Sequence, residues 1–232
     1  MNNHSFGCDF GSYHLKIYNR DADGYLMQHN MVAVQDKNTL LACGDEAYAM
    51  YEKAPANIHV GAPMSYGNLA SISNMQAFLK KLLEENIKGQ LKGADFFVAL
   101  PTDMQERNFT MLIQDSAMKP KTVYLVDKPV AAGLGLGINV KEAQGVLIVD
   151  IGAETTEISV LSLGGTVISR LIQTGGRSID DAIQSAIRKE YSFFIGSKTA
   201  ENIKKELAYA IDPEEKTMQI CGRNMVVGLP QM

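Results

Sequence analysis

Val146-Leu147-Ile148-Val149-Asp150-Ile151-Gly152-Ala153-Glu154-Thr155-Thr156-Glu157 begins with six residues that are apolar except for one aspartate, and then breaks at a glycine. The run has the length and β-branched content of a strand and is expected to lie centrally in a sheet. Asp150 falls near its end and Gly152 starts a turn. Residues 157–163 and 166–172 read as two further strands joined across Gly164-Gly165 as a hairpin. The amino-terminal end repeats the arrangement. Residues 6–10 (FGCDF) form a short apolar strand with Asp9 in it, Gly11-Ser12 is a turn, and Leu15, Ile17 and Tyr18 resume a strand. Two such units facing each other would grip a polyphosphate. Backbone N–H groups would supply donors, the aspartates would hold magnesium through its water shell, and Lys16 would add a point charge. Read singly, Asp-x-Gly is a turn signature and nothing more, so the pair leaves both readings open.

The first meander continues over residues 25–34, and residues 35–65 form a small subdomain or elaborated loop with a short helix over 46–53. Between the two turns, Ile72, Met75, Leu79, Leu82, Leu83 and Ile87 recur at helical spacing and predict a helix over 71–88. Residues 96–100 (FFVAL) predict a strand. Thr102-x-x-Gln105 reads as a capping box opening a helix with Met104, Phe109, Leu112 and Ile113. A strand over 123–126 leads to Ala131-Ala132-Gly133, whose small side chains allow close approach of either a neighbouring helix or a ligand. Beyond the second turn, Ser178-x-x-Asp181 opens a helix, another covers 199–210, and residues 218–227 read as a last hairpin. Hairpins followed by strands alternating with helices give an α/β class, mixed sheets flanked by helices.

The chain has 232 residues, 46% hydrophobic and 21% charged, with a net charge of −4. A core of real size is therefore expected, and without a basic block nucleic acid is a poor partner. Three scattered cysteines and four scattered histidines make no disulfide framework, zinc pattern or triad. Cys8, in an apolar strand, reads as a small buried hydrophobe. There is no P-loop and no Rossmann fingerprint, and the glycines from Gly133 to Gly137 follow a helix and read as its end. Residues 1–6 carry no basic stretch followed by an apolar run, and no run reaches the roughly 18 residues of a membrane span. A cytoplasmic protein is the expectation.

The two turns and the segments between them resemble the MreB family, the rod shape-determining bacterial actin-like proteins, within the superfamily of actin, sugar kinases and heat-shock chaperones. Asp9-Phe10-Gly11-Ser12 looks like the first phosphate loop, residues 126–132 (VDKPVAA) the first connecting segment, and residues 149–157 (VDIGAETTE) the second phosphate loop. Ser162-Leu163-Gly164-Gly165, Thr174-Gly175-Gly176, Asp180-Asp181-Ala182-Ile183, Ile195-Gly196, Thr199-Ala200-Glu201 and Gly222-Arg223-Asn224 continue the pattern, so the resemblance covers essentially the whole chain. It implies an actin-like, ribonuclease H-like ATPase fold. The first lobe would span 1–140, and a second lobe would begin at 145 and stop at 232, before the adenosine motif. It also implies ATP and Mg2+ as cofactors, filaments beneath the inner membrane through self-association or full-length homologues, and the organisation of cell-wall synthesis. Gly11, Ser12, Tyr13 and Lys16 would meet the phosphates, Gly152, Thr155 and Thr156 would form the opposite grip, and Asp9 and Asp150 would position magnesium. Asp127 would orient the attacking water. A non-catalytic actin-like scaffold or filament cap, and a chaperone-like ATPase of enzyme microcompartments, are the alternatives.

Besides its expected stop before the adenosine motif, the chain departs from the family pattern at three places in its residues. The second loop reads DIGAETTE where the family has DIGGGTTE, so Glu154 brings a carboxylate, and strain if the position requires positive φ. Asp127-Lys128 replaces an acidic pair, and Lys128 is expected to ion-pair with Glu154. Lys16 stands where MreB proteins usually carry an apolar residue and actin carries a phosphate-binding lysine. ATP hydrolysis is accordingly expected to be weakened or absent.

Overall fold

The computed structural model describes residues 4–36, 39–87, 91–114, 119–211 and 215–232. They fall into two compact units, Met1–Gln173 and Thr174–Met232.

The first unit contains strands β1 (Ser5–Phe10), β2 (His14–Asn19), β3 (Gly24–His29), β4 (Val32–Gln35) and β5 (Thr39–Cys43), helix α1 (Asp45–Met50), and strands β6 (Ile58–Gly61), β7 (Met64–Ser65) and β8 (Asn68–Leu69). Next come helix α2 (Ile72–Asn86), strand β9 (Asp95–Leu100), helix α3 (Glu106–Gln114), strand β10 (Thr122–Asp127) and helix α4 (Lys128–Gly135). Strands β11 (Val146–Ile151), β12 (Thr156–Ser162) and β13 (Gly165–Ile172) complete it. The main sheet has the order β10-β9-β1-β2-β3, with β1 parallel to β9 and antiparallel to β2. Mixed pairing of this kind follows from a hairpin at one side and helical crossovers at the other. The inward residues Phe6, Cys8, Phe10, Leu15 and Ile17 alternate with exposed or half-buried ones, the period of a strand with one buried face.

Helix α2 begins where Ser71 accepts a hydrogen bond from the Asn74 amide, and buries Met75, Phe78, Leu79, Leu82 and Leu83 on that face. With Phe109, Leu112 and Ile113 of α3 they close the main core. The tail of the expected helix at Lys88 lies outside the described residues.

Three expectations about this unit need correction. The meander does not run on to Val34: β4 leaves the main sheet for a second one, β5-β4-β6, with its own small core of Met31, Ala33, Ala42 and Ala47. Thr102 does not cap α3, which starts at Glu106, because Glu157 and Ser169 claim its amide and hydroxyl. Strand β11 is not central. It is an edge of the sheet β11-β12-β13, and Leu147, Val149 and Ile151 are at least half exposed. Only Ile148 of its alternate face is buried, against Val140 and Leu161. The expected hairpin is present, but its turn is Leu163-Gly164, one residue before the expected Gly164-Gly165, with both residues at positive φ as a type I′ turn requires.

The second unit contains α5 (Gly176–Tyr191), β14 (Phe193–Phe194), α6 (Ser197–Leu207), β15 (Gly222–Asn224) and β16 (Pro230–Gln231). Helix α5 starts two residues before Ser178, whose hydroxyl accepts from the Gly175 amide at 3.4 Å. Lys204 of α6 bridges to Asp180 of α5 at 2.7 Å and donates to the Gly176 carbonyl at 2.9 Å. The last hairpin is displaced from 218–227: β15 pairs with β16, so it spans 222–231. Among the described residues no helix is long and apolar enough to cross a membrane.

Candidate functional site

The two aspartate turns close in the same way. Gly11 donates its N–H to the His14 carbonyl at 3.1 Å, and Gly152 donates to the Thr155 carbonyl at 2.8 Å. A Cβ on Gly11 would stand 2.8 Å from that carbonyl, and one on Gly152 3.0 Å from its own. Neither glycine has positive φ, so the requirement is for room rather than for left-handed backbone.

A third turn joins the two. The β7–β8 hairpin turns through Tyr66 and Gly67, both at positive φ. The Tyr66 amide donates to Glu154 Oε2 at 2.6 Å and the Gly67 amide to Ser12 Oγ at 3.4 Å. One hairpin tip thus holds a side chain from each aspartate turn. Glu154 is buried and is not strained: neither it nor Ala153 has positive φ.

The charged groups sit beside these turns. Lys16 lies opposite Asp9 in the β1–β2 register and its Nζ is 3.0 Å from Asp9 Oδ2. Lys128 does not pair with Glu154, whose carboxylate is taken to the hairpin tip; its Nζ is 2.9 Å from Asp150 Oδ2. Burial pulls the Lys128 ammonium down, but the Asp9 charge, the hydrogen bond and charge of Asp150 and the Glu157 charge together hold it above the ordinary 10.5. Lys128 therefore contacts Asp150 and also feels the charges of Asp9 and Glu157.

Asp127 is not brought to this group. It is exposed, and its Oδ2 accepts from the Thr166 hydroxyl at 3.4 Å. Successive residues at the β10–α4 junction point to different sides, so it is position 128 that faces Asp150. Tyr13 turns to the small β5-β4-β6 sheet and α1. Its hydroxyl meets that of Tyr48 at 3.0 Å, and its ring stands edge-on to His29, which stacks on Tyr48 with ring centres 3.8 Å apart. Thr155 lends its carbonyl to the second turn and Thr156 begins β12.

Three supporting residues had no assigned role in the sequence reading. Asn30, fully buried, donates from Nδ2 to the Gly11 carbonyl at 2.7 Å and from its amide to the Tyr13 carbonyl at 2.8 Å. Glu157 Oε1 accepts from the Thr102 amide at 2.7 Å. Ser169 Oγ lies 2.6 Å from both Thr102 Oγ1 and Ser159 Oγ, tying the end of β9 to β12 and β13. Glu157 and Ser159 share the buried face of β12 with Leu161, and polar residues in that alternation are the one signal of them in sequence. Gly133, open to two readings, packs on its neighbours: a Cβ there would meet Leu161, Val140 and Ile148 at 2.8–3.3 Å.

Magnesium usually keeps most of its waters and takes one or two carboxylates. Here each expected carboxylate already meets an ammonium, at 3.0 Å for Asp9 and 2.9 Å for Asp150. Among the described residues no three acidic, histidine or cysteine side chains gather to hold a metal. A divalent ion would have to displace Lys128 and then stand beside it at like charge, so the residues do not fit the ion.

The family model described as MreB/Mbl protein matches residues 3–232. The cell shape-determining protein Mbl of Bacillus subtilis (strain 168) is 33% identical over 231 residues, covering 97% of this chain and 69% of the relative. The crystal structure of MreB 5 of Spiroplasma citri bound to AMPPNP superposes with a TM-score of 0.92 at 31% identity, over 100% of this chain and 71% of that one. The MamK double helical filament, at 20% identity and a TM-score of 0.79 over 99% of this chain and 72% of that one, shares the fold.

Proposed function

Because the chain belongs to the MreB/Mbl family and has its actin-like fold, we propose that it is a cell shape-determining cytoskeletal protein that holds an adenine nucleotide between its two aspartate turns. The observation that carries this is the matched pair of glycine closures at Gly11 and Gly152, bridged by one hairpin tip. In this reading the Ser12 hydroxyl and the Lys16 and Lys128 ammoniums meet the phosphates, and Gly11 and Gly152 leave the room that phosphates need. The likeness to an AMPPNP-bound relative supports it. Self-association into filaments at the inner membrane, where the chain would organise wall synthesis, belongs to the same proposal. Its support is the cell-shape role in the relative's name.

A second reading concerns turnover. In-line attack on a terminal phosphate needs an acceptor that orients water. Asp127 is turned to Thr166, and Glu154 accepts from Tyr66. That favours a nucleotide-holding, non-hydrolysing scaffold over an ATPase.

Calorimetric titration of ATP into the 232-residue chain tests the first reading, with phosphate release followed in the same sample. Binding that a Gly152→Val substitution abolishes is the expected result. Saturable binding unchanged by that substitution would place the nucleotide elsewhere.

A further inference from the structure

We propose that Lys128 is the resident cation of the phosphate site: Asp150 holds its ammonium in the free chain, a bound nucleoside triphosphate takes it over, and binding therefore needs no divalent ion. The proposal rests on the nucleotide reading above and adds how the charge is balanced.

The placement of Lys128 goes against local preference. It is the first residue of α4, and a cation at a helix amino terminus meets the positive end of the helix dipole. Nothing in the helix rewards a lysine there. What holds it is the 2.9 Å contact with Asp150 together with the charges of Asp9 and Glu157. Its backbone is fixed by the strand before it and by Pro129, which is buried in the first turn. A phosphate placed between the turns would then be reached from Asp150 by a swing of the flexible lysine stem.

The second lysine strengthens the case. Lys16 sits across the first turn on Asp9 at 3.0 Å. Each aspartate expected to face a magnesium ion thus has its own ammonium. Two lysines on two turns can meet a polyphosphate from both sides, where a divalent ion between the turns would meet Lys128 at like charge.

The bland alternative is that Lys128–Asp150 is only a surface ion pair tying α4 to β11, which would contribute little. Two measurements separate the readings. In the first, ATP is titrated into the wild-type chain in EDTA and in MgCl2, and into Lys128→Gln in both. The wild-type affinity should differ by less than about threefold between buffers, and the variant should lose about tenfold or more in EDTA and recover part of it with magnesium. Wild-type binding that EDTA abolishes overturns the proposal and leaves the nucleotide reading intact. In the second, MgCl2 alone is added during thermal unfolding. The wild-type melting temperature should stay put and that of Lys128→Gln should rise, because the metal fills the vacated place beside Asp150. A wild-type chain that magnesium stabilises as much as the variant overturns the proposal without reference to any nucleotide. If Lys128→Gln does not fold, the wild-type arms and Lys128→Arg, which should remain indifferent to magnesium, decide it. A wild type that binds no ATP in either buffer defeats the nucleotide reading, and the metal-only melts still report on Lys128.

Discussion

Glu154 accepts a hydrogen bond from the Tyr66 amide at 2.6 Å, almost fully out of water. A hydrogen bond to a buried charged acceptor contributes about 1.5–3 kcal/mol, and losing the acceptor strands the donor. Glu154→Ala should therefore lower the unfolding free energy by about 1–3 kcal/mol, and Glu154→Gln, which keeps an oxygen, by clearly less. Urea unfolding of the two variants checks the order; equal losses would remove the hydrogen bond as the cause. Lys128 gives a pH dependence of known sign. Its folded value lies above the ordinary 10.5, so its contribution is complete below the unfolded value and is lost as pH rises through the folded one. The stability gap between wild type and Lys128→Gln should narrow only above about pH 10.5, seen as converging melting temperatures in alkaline buffers. A gap that closes already near neutrality would assign it to packing.

The two turn elements can be ranked against a helix glycine of the same unit. At Gly11 a new Cβ would lie 2.8 Å from a backbone carbonyl, at Gly152 3.0 Å from one, and at Gly133 2.8 Å from the movable end of Leu161. Backbone cannot yield as a methyl group can, and overpacking costs about 1–3 kcal/mol. Alanine should then destabilise most at Gly11, less at Gly152 and least at Gly133, measured as urea midpoints at constant slope. At this scale the sequence was legible wherever one residue pattern decided the element. The alternation in Ser5–Phe10, the stripe of α2 and the Gly164 turn needed nothing from elsewhere in the chain. It misled where a distant partner decided. Thr102 has the residue spacing of a cap, but a carboxylate 55 positions away takes its amide. Lys128 was matched to Glu154 by charge alone, and the Tyr66 amide had already claimed that carboxylate. An apolar run such as 146–151 reads as central because periodicity reports hydrophobicity, not how many neighbours a strand has.

The whole molecule divides unevenly in how much it buries. Phe6, Phe78, Phe96, Phe109 and the aliphatic residues around them sit in the first unit, whereas among the described residues from 174 onward only Ile195 and Ala200 are buried hydrophobics. Stability that comes from apolar burial must therefore be concentrated before residue 174. The three free cysteines report on the two units separately: Cys8 and Cys43 are buried in the first, and Cys221 is exposed in the second. Burial, with the Asp9 charge added, also pushes the Cys8 thiol far up, which removes the reactive thiolate at ordinary pH. A thiol reagent should thus label Cys221 at once in native buffer. Cys8 and Cys43 should react only as urea unfolds the main core, together and with the same midpoint as the loss of secondary structure. Limited proteolysis should follow the same division, cutting after residue 174 and leaving a resistant fragment that contains both buried cysteines. Cys8 reacting ahead of Cys221, or cuts appearing first between residues 5 and 100, would mean that the first unit is not the stable part of the chain.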